Sequence, residues 1–492
     1  MTCKPGIGVR RVEMELLLPH ELFSLSFHHD KKAFDEIFAI DEAHRTFWQK
    51  LEAVREPWFV AHPYRDKVLE LGERATPMRV FGDKTGLRKT RNVAIMHWSS
   101  QGAARNWDIR KTRCPIYAVP AHLLIKDLTE PALQSAVAWS IEALQSGRFP
   151  CLNHLGKRFP ERSWRGRMAG QPLADGRCAI YTGSVADWEW NRDTFGFKET
   201  WSTEEICHRC FATRLPGAAN FCNFSRCDRR CPDGFKAASR SPLVIGISGW
   251  HVDNVMAEAM HSGPLGVSQH LNASVLLELC EEGLWPHGGS GSWDEKLASQ
   301  LSIAFDEFVS WARSSHKAHN HKRFTPLNLS MKRKSDWSLL KSKARNSLVI
   351  QEWLVHKARD GIEGDDIEYK KLRAAVQWGF YSWFNWVRKE GEWLSDPAKA
   401  GMSEAADFMF KGYNALSVRA ATYRRARYKI VPEHHQLWHS PGDAIRTGRN
   451  PAHHWSFPEE SNMKVLGDIA ANVHGSTVSR RTLERWLAQL FV

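Results

Sequence analysis

Between residues 77 and 187 the chain sets apolar runs, turn residues and one helical repeat in an order that few folds accommodate. In MRVFGDKTGLRKTRNVAIMHWSS, Val80 and Phe81 end a first apolar run, Asp83-Lys84-Thr85-Gly86 supplies turn chemistry, and VAIMHW at 93–98 reads as a second strand. A third short strand falls at Ile116–Val119. In LTEPALQSAVAWSIEALQSG, Thr129 is placed to cap a helix and Pro131 suits its start. Leu133, Val137, Ile141 and Leu144 then recur at helical spacing until Gly147. RCAIYTG at 177–183 is a fourth strand, which delivers the chain to Asp187. The expected class is α/β, with a strand ending in Asp83, two more strands, a helix and a strand ending near Asp187. Such strand ends line the functional crevice of an open α/β sheet. Each acid also has a plainer reading, Asp83 as an Asx-turn residue and Asp187 as a helix N-cap.

Cysteine placement is the second constraint. Five of the ten Cys fall between 207 and 231, unlike the even spacing of a disulfide scaffold, so a reducing compartment is expected. Cys207-x-x-Cys210 is a half-site for tetrahedral zinc, because a two-residue gap lets both thiolates reach one ion at about 2.3 Å. Cys222, Cys227, Cys231, His251 and His261 compete for the second half. A redox dithiol would call for a βαβ context that the cluster lacks. Glu258 precedes His261 by one helical turn, either as a metal or phosphate pair or as a helix end before a Gly-Pro turn. In VPEHHQLWHS, His435 and His439 are four apart and share a helical face. No Cys or carboxylate stands with them in a metalloprotease arrangement, and they read as core or DNA-contacting histidines, with a second metal site as the alternative. Glu459 and Glu460 open a helix, where acids answer the helix dipole.

The net charge is +13, and Arg419, Arg424, Arg425, Arg427 and Lys429 crowd into SVRAATYRRARYKI. This run is expected to bind nucleic acid, or else to be a solvated basic helix face. An apolar share of 42% with 22 Trp excludes a disordered chain. Leu16-Leu17-Leu18 before Pro19 is too short for a signal peptide, and nothing approaches the roughly 18 apolar residues of a membrane span. AAVQWGFYSWFNWV at 374–387, interrupted by Gln377, Ser382 and Asn385, is expected to be a buried helix.

The strings RVFGDKTG, YTGSVADWEWNRDTFGF, ICHRCFATR, MHSGPLGV, RFTPLNLS, VPEHHQLWH and NPAHHWSFPEESN together resemble a large family of transposon-derived proteins. That family is related in layout to the CACTA and other cut-and-paste DDE transposases of eukaryotes. The resemblance runs from LLPHELF at 17–23 to TLERWLAQL at 482–490. It implies a ribonuclease-H-like core interrupted by a zinc knuckle and a large, mostly helical insertion. The parts would be an N-terminal helical region at 1–76, the first part of the core at 77–205, a zinc-knuckle segment at 206–262, the helical insertion at 263–445, and C-terminal helices completing the core at 446–492. Carried over by position, Asp83, Asp187 and Glu460 become the catalytic acids that hold Mg²⁺. Cys207 and Cys210 become ligands of a structural Zn, and His261 ends a D-x-x-H element whose acid is here Glu258. Cys222 and Cys231 complete the candidate ligand set. The implied activity is metal-dependent DNA strand cleavage and transfer by a nuclear protein with DNA as partner, no membrane association and a homo-oligomeric working form. A zinc-stabilised DNA-binding derivative without catalysis fits the same motifs, and a scaffold with no nucleic-acid role leaves the positive charge unexplained.

Overall fold

A computed structural model describes residues 13–88, 91–104, 108–125, 128–224, 229–256, 258–287 and 290–490. The chain divides into two units, one of residues 1–200, 229–256 and 455–492 and the other of residues 201–228 and 257–454. The N-terminal helices therefore belong with the sheet rather than apart from it, and the expected zinc segment at 206–262 is divided between the units.

The first unit is α/β, built on a four-stranded mixed sheet. β1 (Ala75–Arg88), β2 (Arg91–Ser100) and β3 (Cys114–Pro120) pair antiparallel in succession, and β4 (Cys178–Ser184) runs parallel to β1, giving the order β3-β2-β1-β4. Antiparallel neighbours need only short connections, whereas a parallel neighbour needs a crossover. That crossover carries α1 (Thr129–Ser146), whose Leu133, Val137, Ile141 and Leu144 are all buried and which ends at Gly147 with φ +66°. Thr129 heads this helix without capping it, since Leu128 holds the N-cap position and no side chain caps it.

One expectation fails at β1. Asp83-Lys84-Thr85-Gly86 does not turn; these residues pair with Ile95, Ala94, Val93 and Asn92. The β2 run offers a partner along the full length, and the ladder's hydrogen bonds override a local turn preference. Asp83 is thus an interior strand residue. The register is unbroken from Met78 to Gly86, so side chains alternate strictly. Arg79, Phe81, Asp83 and Thr85 share one face, while Val80, Gly82 and Lys84 share the other. The closing helix, Phe457–Ala471, packs on the first face, where a Cβ on its Gly467 would sit 3.2 Å from Thr85. α2 (Trp188–Phe195) packs on the second, with Trp190 so close to Gly82 that a Cβ there would fall 2.2 Å from the indole.

The second unit is mostly helical, with long helices at Ser268–Glu281, Trp293–Ser314, Ala344–Asp360 and Ile367–Lys389. The aromatic stretch at 374–387 lies within the last of these, with Phe380, Trp383 and Phe384 buried as expected. Gln377, which interrupts its apolar pattern, donates to Asn272 Oδ1 and to the Gln351 carbonyl, both at 3.1 Å, so it bonds helix to helix. Buried Glu278 accepts from the Tyr369 and Tyr428 hydroxyls, each at 2.5 Å, and from Arg373 at 3.2 Å. A later helix, α3 (Pro432–Thr447), begins with Pro at its first position, carries Pro441 inside and ends at Gly448. Among the described residues no helix is long and apolar enough to cross a membrane.

Candidate metal centre and acidic pocket

The two cysteines of the CxxC string stand at the tip of a small hairpin in the second unit. Its rungs are the Ile206 amide to the Ala212 carbonyl at 3.0 Å and the Arg214 amide to the Glu204 carbonyl at 2.8 Å. Ile206, Ala212 and Phe221 form a core of only a few side chains around Cys207 and Cys210. So little apolar surface does not hold a hairpin by itself. The missing restraint comes from α3, where the four-residue spacing of His435 and His439 turns both rings to one side. Cys207 Sγ lies 3.3 Å from His439 Nε2, and Cys210 Sγ lies 3.2 Å from His435 Nε2 and 3.7 Å from His439 Nε2. All four side chains are buried, and their donor atoms lie within 4.8 Å of one another.

These separations suit a metal. Tetrahedral bonds of about 2.3 Å to sulfur and 2.0–2.1 Å to nitrogen put ligand atoms about 3.5 Å apart. Burial alone would raise the Cys207 thiol, yet Cys210, His439 and His435 hold it well below its usual value, which favours the thiolate that binds metal. Around the donors, the Arg209 guanidinium meets Asp443 of α3 at 2.7 Å and ties the tip of the hairpin to the helix. The four residues therefore form a buried Cys2His2 cluster able to bind a metal such as zinc.

The ligand set expected from the sequence is corrected in its second half. Cys222 is half-buried, Cys231 is an exposed residue of the first unit, and neither joins the cluster. Cys227 lies outside the described residues. His261 is engaged elsewhere: Glu258 is an N-cap that accepts from the Met260 and His261 amides at 2.7 and 2.6 Å and contacts His261 Nδ1 at 2.7 Å. The missed ligands had a signal in the H-x3-H spacing of His435 and His439, the partner pattern of CxxC in Cys2His2 sites. More than 200 residues separate the two halves, which hid the match.

In the first unit, Asp83 and Asp187 border one pocket of about 240 Å³, together with Lys84, Glu130, Glu189 and Asp193. Lys84 and Asp187 lie on the α2 face of the sheet, whereas strand alternation assigns the Asp83 side chain to the face of the closing helix. Asp187 follows β4 and is the N-cap of α2, its Oδ1 accepting the Trp190 amide at 2.7 Å, so the plainer reading holds for that atom. Asp83 Oδ1 accepts the Lys84 amide at 2.6 Å. The third expected acid, Glu460, is half-buried in the first turn of the closing helix and does not border this pocket. Among the described residues, the three acids do not form a group with oxygens within 4.8 Å of one another.

The geometry does separate Glu460 from its neighbour. Glu459 is fully buried, ion-paired to Arg79 of β1 and, at 3.3 Å, to Arg113 just before β3; His97 Nε2 stands 3.6 Å away. Burial would raise the Glu459 carboxyl, but Arg113 and Arg79 hold it at about 2. A carboxylate already committed to two guanidinium groups is a fixture of the fold rather than a ligand. It fixes the first turn of the closing helix to the face of β1 that carries Asp83.

The basic run at 419–429 is less available than its composition implies. α-Helical structure ends at Thr422, so the run is not one helix face. Arg427 is buried and paired to Glu281 at 2.8 Å, and Arg419 is paired to Asp366. Arg424, Arg425 and Lys429 are exposed. In comparisons with known proteins, no family model and no curated protein matches the chain.

Proposed function

We propose that the chain is a DNA transposase-like protein whose first unit carries out metal-dependent DNA strand cleavage and transfer. The observation that carries this reading is the pocket shared by Asp83 on β1 and Asp187 after its parallel neighbour β4. Support also comes from the sheet order β3-β2-β1-β4 with a crossover helix before β4, which is the order of a ribonuclease-H-like core, and from the +13 charge. Carboxylate oxygens are the donors Mg²⁺ prefers. Two such ions would activate a nucleophile and stabilise the leaving oxygen of a phosphodiester. Asp187 commits Oδ1 to its helix and has Oδ2 for a cation. Lys84, which lines the pocket from the α2 face of β1, offsets phosphate charge, and the Glu459 ion pairs hold Glu460 in register with β1. By the same resemblance the protein acts on nuclear DNA as paired copies.

The Cys2His2 cluster is read as a structural zinc site, since four buried protein ligands leave no open position for a substrate. The second reading, a zinc-stabilised DNA-binding protein without catalysis, is favoured by one observation: Glu460 stands outside the pocket that holds the two aspartates.

Nicking of supercoiled plasmid by the full-length protein separates the two. On the first reading, Mg²⁺-dependent nicking falls at least about 100-fold in Asp83→Asn and in Asp187→Asn, while DNA affinity is retained. If the wild-type protein binds DNA but does not nick it with Mg²⁺ or Mn²⁺, the nuclease reading is lost and the second stands.

A further inference from the structure

Residues 313–345 of the second unit hold ten Lys and Arg and a single acid, Asp336. Composition alone would suit a solvated loop, but the fold here is specific. Although the segment between the helices ending at Ser314 and starting at Ala344 has no regular structure, Phe324, Leu329, Met331 and Leu340 are buried beneath it. Its backbone is pinned by Leu339 to Leu329 at 3.0 Å, Lys341 to Asn328 at 2.9 Å and Leu340 to the Gln269 carbonyl at 3.0 Å. Asn346 donates to Asn320 Oδ1 at 2.8 Å. The lone acid is used internally: Asp336 Oδ2 accepts the Lys332 and Arg333 amides at 3.0 and 2.9 Å, and so shapes the turn that presents Lys332-Arg333-Lys334.

The cations on this platform face solvent. Lys322, Arg323, Lys332, Arg333, Lys334 and Lys341 are exposed, and among the described residues none of them makes an ion pair. Two large apolar side chains stand among them, Leu327 at 71% exposure and Trp337 at 46%. The run at 419–429 contrasts with this, having two of its five cations tied to Asp366 and Glu281. Exposed cations on a backbone already fixed by hydrogen bonds suit a partner with regularly repeated negative charge. They give up little conformational freedom of the main chain on binding.

We propose that the 322–341 platform is the principal phosphate-gripping surface of this protein, that it binds the backbone of duplex DNA without reading sequence, and that Trp337 packs against the bound strand. The grip follows from charge and geometry and stands whether or not the acidic pocket cleaves. Only the choice of DNA over RNA rests on the nuclease reading.

The test is fluorescence anisotropy of the full-length protein on a labelled duplex of arbitrary sequence, about 30 base pairs long, with no Mg²⁺ added and salt varied from about 50 to 250 mM. The triple variant Lys332→Gln, Arg333→Gln, Lys334→Gln should bind at least tenfold more weakly. Its slope of log affinity on log salt should be shallower by about 2.7, which is about 0.9 per lost phosphate contact. The pair Lys322→Gln, Arg323→Gln should act in the same direction, and the control Arg424→Gln, Arg425→Gln, Lys429→Gln should lose less. Unchanged affinity and slope in both platform variants, at unchanged melting temperature, would overturn the proposal, as would an equal loss in the control. An RNA duplex of the same sequence that outcompetes the DNA would overturn the choice of DNA and leave the grip standing.

Discussion

The Cys2His2 cluster and the acidic pocket are both sets of metal-type side chains, and they are organised in opposite ways. In the cluster, four buried donors already lie at ligand spacing, with Arg209 and Asp443 bracing the elements that bear them. In the pocket, Asp83 and Asp187 are only partly buried, each has an oxygen committed to a nearby amide, and Glu460 stands elsewhere. A centre assembled at rest serves folding, because its binding free energy is folding free energy. On the proposed function, a site whose acids are supported but not gathered would suit chemistry that brings its own charges. What has been fixed beforehand in the pocket is the scaffold: the Glu459 ion pairs on one face of β1 and the Trp190 contact with Gly82 on the other.

The contrast breaks most easily at the metal. Cys207→Ser or His439→Ala should release one equivalent of zinc, read by elemental analysis of purified protein, and remove stabilisation on the order of 10 kcal/mol from the hairpin and α3. Asp187→Asn should leave the metal content unchanged. Full zinc occupancy and an unaltered melting curve in Cys207→Ser would end the distinction.

The next effect concerns the scaffold of the pocket. Glu459→Gln leaves Arg79 and Arg113 buried without their carboxylate and should cost about 3–5 kcal/mol in denaturant unfolding. Its pH dependence sharpens the point. The carboxyl is held at about 2 in the fold against 4.5 in an unperturbed chain, so the stabilisation is present above pH 4.5 and fades as pH falls through about 2. The gap between wild type and variant should therefore narrow across that window, and a gap indifferent to pH would show that the ion pairs are not its source. The smallest effect is expected for Gly82→Ala, which forces Trp190 aside. It should cost about 1–3 kcal/mol and reduce nicking through the displaced Asp187, with zinc content unaffected.

Much of the frame was legible because it is local. α1 followed from four apolar residues at helical spacing and a closing glycine, and CxxC identified half of the metal centre from a two-residue gap. What escaped depends on partners outside the motif itself. Asp83-Lys84-Thr85-Gly86 has turn composition but is held straight by β2. His435 and His439 have metal spacing but lie far from the cysteines. Glu459 and Glu460 are chemically identical neighbours, and only Arg79 and Arg113 tell the buried fixture from the half-buried candidate. Likewise nothing within SVRAATYRRARYKI announces that Asp366 and Glu281 occupy two of its arginines.

The span between the cysteine and histidine halves sets a timetable for synthesis. At about 5–20 residues per second, His435 leaves the ribosome roughly 10–45 seconds after Cys210. Throughout that interval the two thiols exist without their imidazole partners, open to oxidation or to a borrowed ion. The closing helix that seals the sheet is made later still. The nascent chain therefore cannot assemble the metal centre before His439 is made, nor cover the sheet before Phe457–Ala471 follows, and a product cut before His435 would carry both an unfinished metal centre and an uncovered sheet.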